Sequence, residues 1–170
     1  MITKCEGKEE MVYLQKVQEK EENVLRNIIQ FYIYEFSRYI PEIRLEHDGA
    51  YKPFSLEKYW DRDNFHAYFI KVDDELIGFA LVESATASNP NTIKEFFIMV
   101  KHRSNGYGKK IAKELFTMFP GDWKITQIKN NESAHAFWQG LIKEITNDRF
   151  TERFEDGKYI QEFNTATIIG

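Results

Sequence analysis

Hydrophobic positions change their spacing several times along this chain, and each change marks an element. Residues 20–40 carry Val24, Leu25, Ile28, Ile29, Tyr32 and Phe36 at intervals of three and four. That spacing predicts one long amphipathic helix, and Pro41 ends it because the residue before a proline avoids the helical region. Ahead of it, Met11-Val12-Tyr13-Leu14, within residues 9–17, predicts a short strand. Residues 42–64 show no period. They hold Tyr51, Phe54, Tyr59 and Trp60, and a short helix over 55–60 that Ser55 would cap. Residues 66–72 and 76–83 predict two strands of a hairpin that turns at Asp73-Asp74-Glu75.

After a turn at Asn89-Pro90-Asn91 comes a strand over 92–100. Its apolar run, Phe96 to Val100, is unbroken and predicts burial on both faces. A helix over 106–119 follows, with Ile111, Leu115 and Phe119 on one face, and Pro120-Gly121 stops it. Residues 123–128 read as a strand. Residues 131–142 read as a helix whose Ala134, Phe137, Trp138, Leu141 and Ile142 share one stripe. Two last strands, 145–154 and 158–163, flank Asp156-Gly157, a hairpin signal. The order β-α-α-β-β-β-α-β-α-β-β describes a mixed α/β chain. With no repeat, low-complexity tract or linker, residues 1–170 are expected to form a single domain.

Composition narrows the function. At 170 residues, with 42% apolar and 15% aromatic side chains, the chain has enough for a full core. Lys+Arg 23 against Asp+Glu 27 gives a net charge of −4. That balance argues against nucleic acid as a partner and suits a cationic substrate. No segment approaches the roughly 18–20 apolar residues of a membrane span. The N-terminus lacks the apolar run of a signal peptide, and the single Cys5 cannot form an internal disulfide. A cytoplasmic protein with no membrane association is the expectation. His47, His66, His102 and His135 show no metal-ligand spacing, so no metal is expected. No Gly-x-Ser-x-Gly elbow is present.

The most informative stretch is Arg103-Ser104-Asn105-Gly106-Tyr107-Gly108-Lys109-Lys110, between an apolar strand and a helix. Glycines there let the backbone turn tightly and approach a ligand. Free amides at a helix start form a pyrophosphate cradle. A dinucleotide fingerprint would need glycine where Ile111 stands. A Walker loop would need glycine at Arg103 and Ser or Thr at Lys110. Taken alone, Gly106 and Gly108 would mean no more than a tight strand-to-helix turn.

They do not stand alone. Arg103-x-x-Gly106-x-Gly108 after an apolar strand resembles the acetyl-CoA signature of the GNAT N-acetyltransferases. Downstream, Asn131-x-x-Ala134-x-x-Phe137-Trp138 resembles that family's Asn-x-x-Ala-x-x-Phe-Tyr. Glu95-Phe96-Phe97-Ile98, with Phe119-Pro120-Gly121-Asp122-Trp123, resembles a subgroup of predicted acetyltransferases. The resemblance implies the GNAT acyl-CoA acyltransferase fold: a mixed, mostly antiparallel sheet of about seven strands flanked by helices.

It also implies roles. Ile98, Met99 and Val100 would run along the pantetheine arm of acetyl-CoA. The amides from Arg103 through Ser104, Asn105, Gly106, Tyr107 and Gly108 to Lys109 would hold its pyrophosphate, with charge added by Arg103, Lys109 and Lys110. A wedge between the strands ending near Val100 and starting near Trp123 would admit the thioester. Asn131 would cap its helix, contact the pantetheine, or both, and Phe137 is core beside the arm. The implied reaction is direct acetyl transfer to a primary amine of a small molecule or peptide, without metal. Glu95, an acid in an apolar strand, would be the general base, with Glu83 in reserve. A backbone amide near Ile98 would hold the oxyanion. Trp138 departs from the pattern: its indole N–H donates a hydrogen bond but does not deliver a proton as tyrosine does. Trp138 would then hydrogen-bond the sulfur or simply pack, and either Tyr159 is the substitute acid, if its hairpin reaches the site, or the thiolate leaves unaided. Acceptor recognition would draw on Tyr32, Tyr34, Tyr39, Tyr51, Tyr59 and Trp60, with Glu35, Glu42, Glu46 and Asp48. The acceptor class stays open among polyamine, aminoglycoside, amino acid and peptide terminus, as does homodimer formation. The alternative is a non-catalytic acetyl-CoA sensor with the same fold.

Overall fold

In the computed structural model, which describes residues 10–166, two strands form the centre. Cys5 and the rest of the N-terminal stretch read above lie outside the described residues. β2 (Phe65–Val72) and β3 (Glu75–Glu83), which follow β1 (Val12–Lys16), pair antiparallel across a turn at Asp73 and Asp74. β1 adds to β2, and β4 (Thr92–Ile98) adds to β3, giving the order β1-β2-β3-β4.

Alternation along β2 and β3 feeds two cores. Ala67, Phe69, Phe79 and Leu81 face one side. Tyr68, Ile70, Ala80 and Val82 face the other. The first side is covered by α1 (Glu22–Phe36), which follows a 3-10 turn at Glu19–Glu21 and buries Leu25, Ile28, Ile29 and Ile33. α2 (Glu57–Asp61) lies against β2. The second side is covered by α3 (Tyr107–Met118) and α4 (Glu132–Thr146). Fully burying a side chain such as Phe79 or Leu81 stabilises by about 1.5–3 kcal/mol.

β5 (Asp122–Ile128), β6 (Thr151–Glu155) and β7 (Lys158–Asn164) form a second antiparallel sheet in the order β5-β7-β6. The seven strands and flanking helices are those expected. The two sheets meet where Asn91 and Trp123 form one parallel bridge. Asn91 is 2% exposed and pins this junction. Its Oδ1 accepts from the Ala85 amide at 2.7 Å, and its Nδ2 donates to the Asp122 and Phe119 carbonyls at 3.0 and 3.3 Å. Past that pin, β4 and β5 part, and the space between them is the wedge.

Several boundaries differ from the sequence expectation. The first helix stops at Phe36 instead of running to 40, and Ser37 Oγ donates to the Tyr34 carbonyl at 2.5 Å. A serine that bonds its own backbone in this way competes with helix continuation. α2 starts after Leu56, and Ser55 Oγ lies 3.5 Å from the Glu57 amide, too long for an effective cap. β4 ends at Ile98, and Val100–His102 form a 3-10 turn. β4 is only half-buried, because its open edge borders the wedge along its whole length; the strands buried on both faces are β2 and β3. The expected strand over 145–154 begins only at Thr151. Residues 145 and 146 are the last turn of α4, where Ile145 and Thr146 continue its inward stripe. Asn147, with φ 50°, closes that helix in the left-handed conformation.

Candidate active site

β4 carries a bulge immediately before its acid. Leu81 faces Glu95, but the next residue, Val82, faces Ile93, so Lys94 is the extra residue. One inserted residue exchanges the two faces of a strand. Ile93 therefore joins Phe96 and Ile98 on the α3/α4 side. Glu95 joins Phe97 on the α1 side. Without the bulge, Glu95 would share a face with Ile93.

On that side the Tyr32 hydroxyl donates a hydrogen bond to the Glu95 carboxylate. Burial pushes the Glu95 carboxyl above the usual carboxylate range, while the Tyr32 hydrogen bond and the Lys94 ammonium draw it partly back. Burial, reinforced by the charge of Glu95, pushes the Tyr32 phenol up, so Tyr32 stays neutral and donates. Glu83 lines the same cleft, its carboxylate 3.5 Å from Lys94 Nζ. One helical turn beyond Tyr32, Glu35 takes the Arg103 guanidinium through two contacts of 2.7 and 2.5 Å. Arg103 Nε donates to the Ile98 carbonyl at 2.8 Å, and its guanidinium lies over the Phe97 ring. The Arg103 side chain thus ties the glycine loop to α1 and to the end of β4.

The loop itself bends through Ser104, φ 65°, and Gly106, φ 78°. α3 starts at the next residue, and its first amides have no partner within the helix. Gly108 lies close to α4: a Cβ there would stand 3.4 Å from Phe137 Cζ and 3.5 Å from Ile98 Cδ1. The Tyr107 ring is buried in the core and its hydroxyl donates to the Glu10 carboxylate, so this residue offers the cleft its backbone. Lys109 Nζ pairs with Glu144 at 2.6 Å.

These parts border one cleft of about 1210 Å³, lined by β4, the glycine loop, β5 and the start of α4. Ile98, Arg103, Ser104, Gly106, Tyr107, Gly108, Lys109, Asn131 and Phe137 are on its lining, together with Glu95 and Trp138. Met99, Val100 and Asn105 are not: Met99 packs in the α1-side core, Val100 is 69% exposed in the 3-10 turn, and Asn105 Nδ2 donates to the His102 carbonyl. Asn131 Oδ1 accepts from the Ala134 amide at 3.1 Å, the N-cap half of its expected role. Trp138 packs edge-on to Phe96 and Phe116. Its indole nitrogen has no hydrogen-bond partner among the described residues, yet it is not a sealed, unsatisfied donor. Tyr159 stacks on His135 at 3.8 Å and is not on the cleft lining.

A second cavity, of about 400 Å³, lies beside the first between α1 and residues 42–54. Tyr32, Phe36 and Glu95 line both cavities and form the wall between them. The sequence places Tyr32 on the acceptor side but does not show its bond to Glu95. The available signal was a phenol on the inward stripe of α1, whose hydroxyl needs a partner when buried. Among the described residues, no group of three or more His, Cys, Asp or Glu gathers as a metal site, and no helix is long and apolar enough to cross a membrane.

Residues 30–141 match the acetyltransferase (GNAT) family. No curated protein matches the chain in sequence. Solved structures share the fold at low identity. One is a PaiA N-acetyltransferase from Thermoplasma acidophilum in complex with coenzyme A, at 10% identity and TM-score 0.63, covering 91% of this chain and 99% of that one. Another is a putative GNAT-family acetyltransferase from Bacteroides thetaiotaomicron, at 19% identity and TM-score 0.59, covering 89% and 86%. A third is the ribosomal-protein-S18-alanine N-acetyltransferase from Escherichia coli, at 12% identity and TM-score 0.61, covering 92% and 96%.

Proposed function

The chain belongs to the acetyltransferase (GNAT) family, and from that premise we propose that it moves the acetyl group of acetyl-CoA directly onto a primary amine. The observation that carries this reading is the wedge between β4 and β5, open toward the unpaired amides that start α3. Those amides and the positive end of the α3 dipole suit the pyrophosphate. The Ile98 end of β4 and the Asn131 amide suit the pantetheine, which then points its thioester toward Glu95.

An amine attacks only after losing a proton. Glu95 is the group in the shared wall that can take it, directly or through a water. Its raised pKa makes it a stronger base than an ordinary surface carboxylate. The nitrogen lone pair then forms a C–N bond to the acetyl carbon, and the Ile98 amide would hold the oxyanion. The C–S bond breaks as the carbonyl reforms, and the nitrogen releases its second proton to solvent to give the neutral amide. The departing thiolate accepts a hydrogen bond from the Trp138 indole and takes its proton from solvent. Two measurements test this reading. Calorimetry should show acetyl-CoA binding that Gly108→Asp abolishes, by placing a negative side chain where the pyrophosphate belongs. Thiol release from acetyl-CoA should require an added amine. Acetyl-CoA binding with no turnover on any amine would favour the sensor alternative.

A further inference from the structure

The second cavity differs in chemistry from the first. Ile33, Phe36, Ile43, Tyr51 and Phe54 supply an apolar and aromatic wall. Glu42, Arg44, Glu46 and Lys52 stand exposed around it, two acids and two bases, with no ion pair among them. Inside, at the wall shared with the cleft, there is one carboxylate, Glu95.

The wall is held in place. Gln30 on α1 clamps the Tyr51 backbone at both ends of its side-chain amide. Its Nε2 donates to the Tyr51 carbonyl at 3.0 Å, and its Oε1 accepts from the Tyr51 amide at 2.8 Å. Leu45 and Tyr51 form an antiparallel bridge, and the Glu46 amide donates to the Ala50 carbonyl at 2.8 Å. The segment is therefore a preformed surface set against α1, which keeps the ordering cost of binding low.

Resting on the acetyl-transfer reading, we infer that this cavity takes a small primary monoamine, its single ammonium at Glu95 and its apolar body against Phe36, Tyr51 and Phe54. A polyamine or aminoglycoside would bury further ammonium groups against an apolar wall, where an unpaired charge is strongly penalised. The mouth offers no net negative charge to draw a polycation. An α-amino acid would bring its own carboxylate next to Glu95, a like-charge contact. A monoamine with an aryl or alkyl body meets none of these penalties, and the Tyr32 and Phe36 rings add cation–π attraction near the shared wall.

The test uses the wild-type chain and a panel of 2-phenylethylamine, hexylamine, spermidine, phenylalanine and an alanine-initiated peptide with polar side chains. Acetyl transfer is followed by thiol release, and amine binding by calorimetry with CoA present. We expect kcat/KM for the two monoamines to exceed that for spermidine, phenylalanine and the peptide by about ten-fold or more. Phe54→Ala should lower kcat/KM for 2-phenylethylamine by about ten- to hundred-fold, and Phe54→Leu should recover most of it. Gln30→Ala, which releases Tyr51, should raise KM for the monoamine more than it changes kcat. A preference for spermidine, phenylalanine or the peptide overturns this inference and leaves acetyl transfer standing. Monoamine binding that Phe54→Ala weakens, with no acetyl transfer, overturns the proposed function and leaves the monoamine site standing. The wild-type panel decides the question even if a variant fails to fold.

Discussion

The Tyr32 hydroxyl on α1 donates to the Glu95 carboxylate on β4, across a sequence separation of 63 residues. This bond favours the charged form of Glu95 while burial opposes it. Tyr32→Phe keeps the ring and removes the bond, so the Glu95 pKa should rise further. The acidic limb of the kcat/KM–pH profile should then move to higher pH, with most of the lost rate recovered in alkaline buffer. A profile that drops by the same factor at every pH would show that Tyr32 acts through something other than the charge on Glu95.

Glu95→Gln should retain acetyl-CoA binding, because the amide is nearly isosteric and lies off the glycine loop. Turnover should fall by roughly 10²–10⁴-fold, the usual contribution of a positioned base. The loss should shrink at high pH, where more amine arrives deprotonated. Wild-type turnover in this variant at every pH would pass the role to Glu83, which lines the same cleft.

The same substitution carries a stability prediction. The folded chain holds the Glu95 proton more tightly than the unfolded chain does, so stability is lost as pH rises from the ordinary carboxylate value through the raised one. Gln at this position removes the titration. The melting temperature of Glu95→Gln, relative to wild type, should therefore climb through that window and level off above it. Thermal melts across acidic to neutral pH measure the difference, and a flat difference would mean that Glu95 titrates as it does in the unfolded chain.

The two loop glycines should respond in opposite ways to alanine. Gly106 has φ 78°, so Gly106→Ala forces a left-handed alanine and should cost about 1–2 kcal/mol even though a Cβ there meets nothing within 4 Å. Gly108 has no such conformation, and its Cβ would make ordinary contacts with Phe137 and Ile98. Gly108→Ala should leave stability level or raise it, by up to about 1 kcal/mol of helix propensity, read as an unchanged or higher melting temperature. If it still weakens acetyl-CoA in calorimetry, the added methyl acts on the ligand and not on the fold.

The glycine loop, the Asn131 motif and the acid in β4 were legible in the sequence because each is local: a few residues at fixed spacing on one element. The elements of the centre were legible for the same reason, since β2 and β3 are apolar runs separated by Asp73-Asp74 and α1 keeps its period. What the sequence hid is non-local or conformational. The run from Phe96 to Val100 gives no alternation, so neither the bulge at Lys94 nor the end of β4 at Ile98 left a trace in it. Arg103 looked free to meet a phosphate, yet its partner is Glu35, 68 residues earlier. Asn91 looked like part of a turn, yet its side chain holds the point where the two sheets part.

In the proposed reaction, Trp138 is the group that meets the departing thiolate. Its ring is 7% exposed and packs on Phe96, Phe116 and Phe137, so replacing it with a smaller ring should cost about 1–2 kcal/mol through the space left behind. Its indole N–H has no protein partner among the described residues and the side chain lines the cleft. A hydrogen bond to the developing thiolate is a bond to a charged group, worth roughly 1.5–3 kcal/mol, or about ten- to hundred-fold in rate. Trp138→Phe should therefore lose both stability and kcat, with acetyl-CoA affinity kept. Trp138→Tyr should lose similar stability but match or exceed the wild-type kcat, because a phenol both donates a hydrogen bond and can deliver a proton. Melting curves and single-turnover rates for the three proteins separate the effects. Equal loss of stability in both variants, with wild-type kcat in both, would reduce Trp138 to a packing residue and leave thiolate departure to solvent alone.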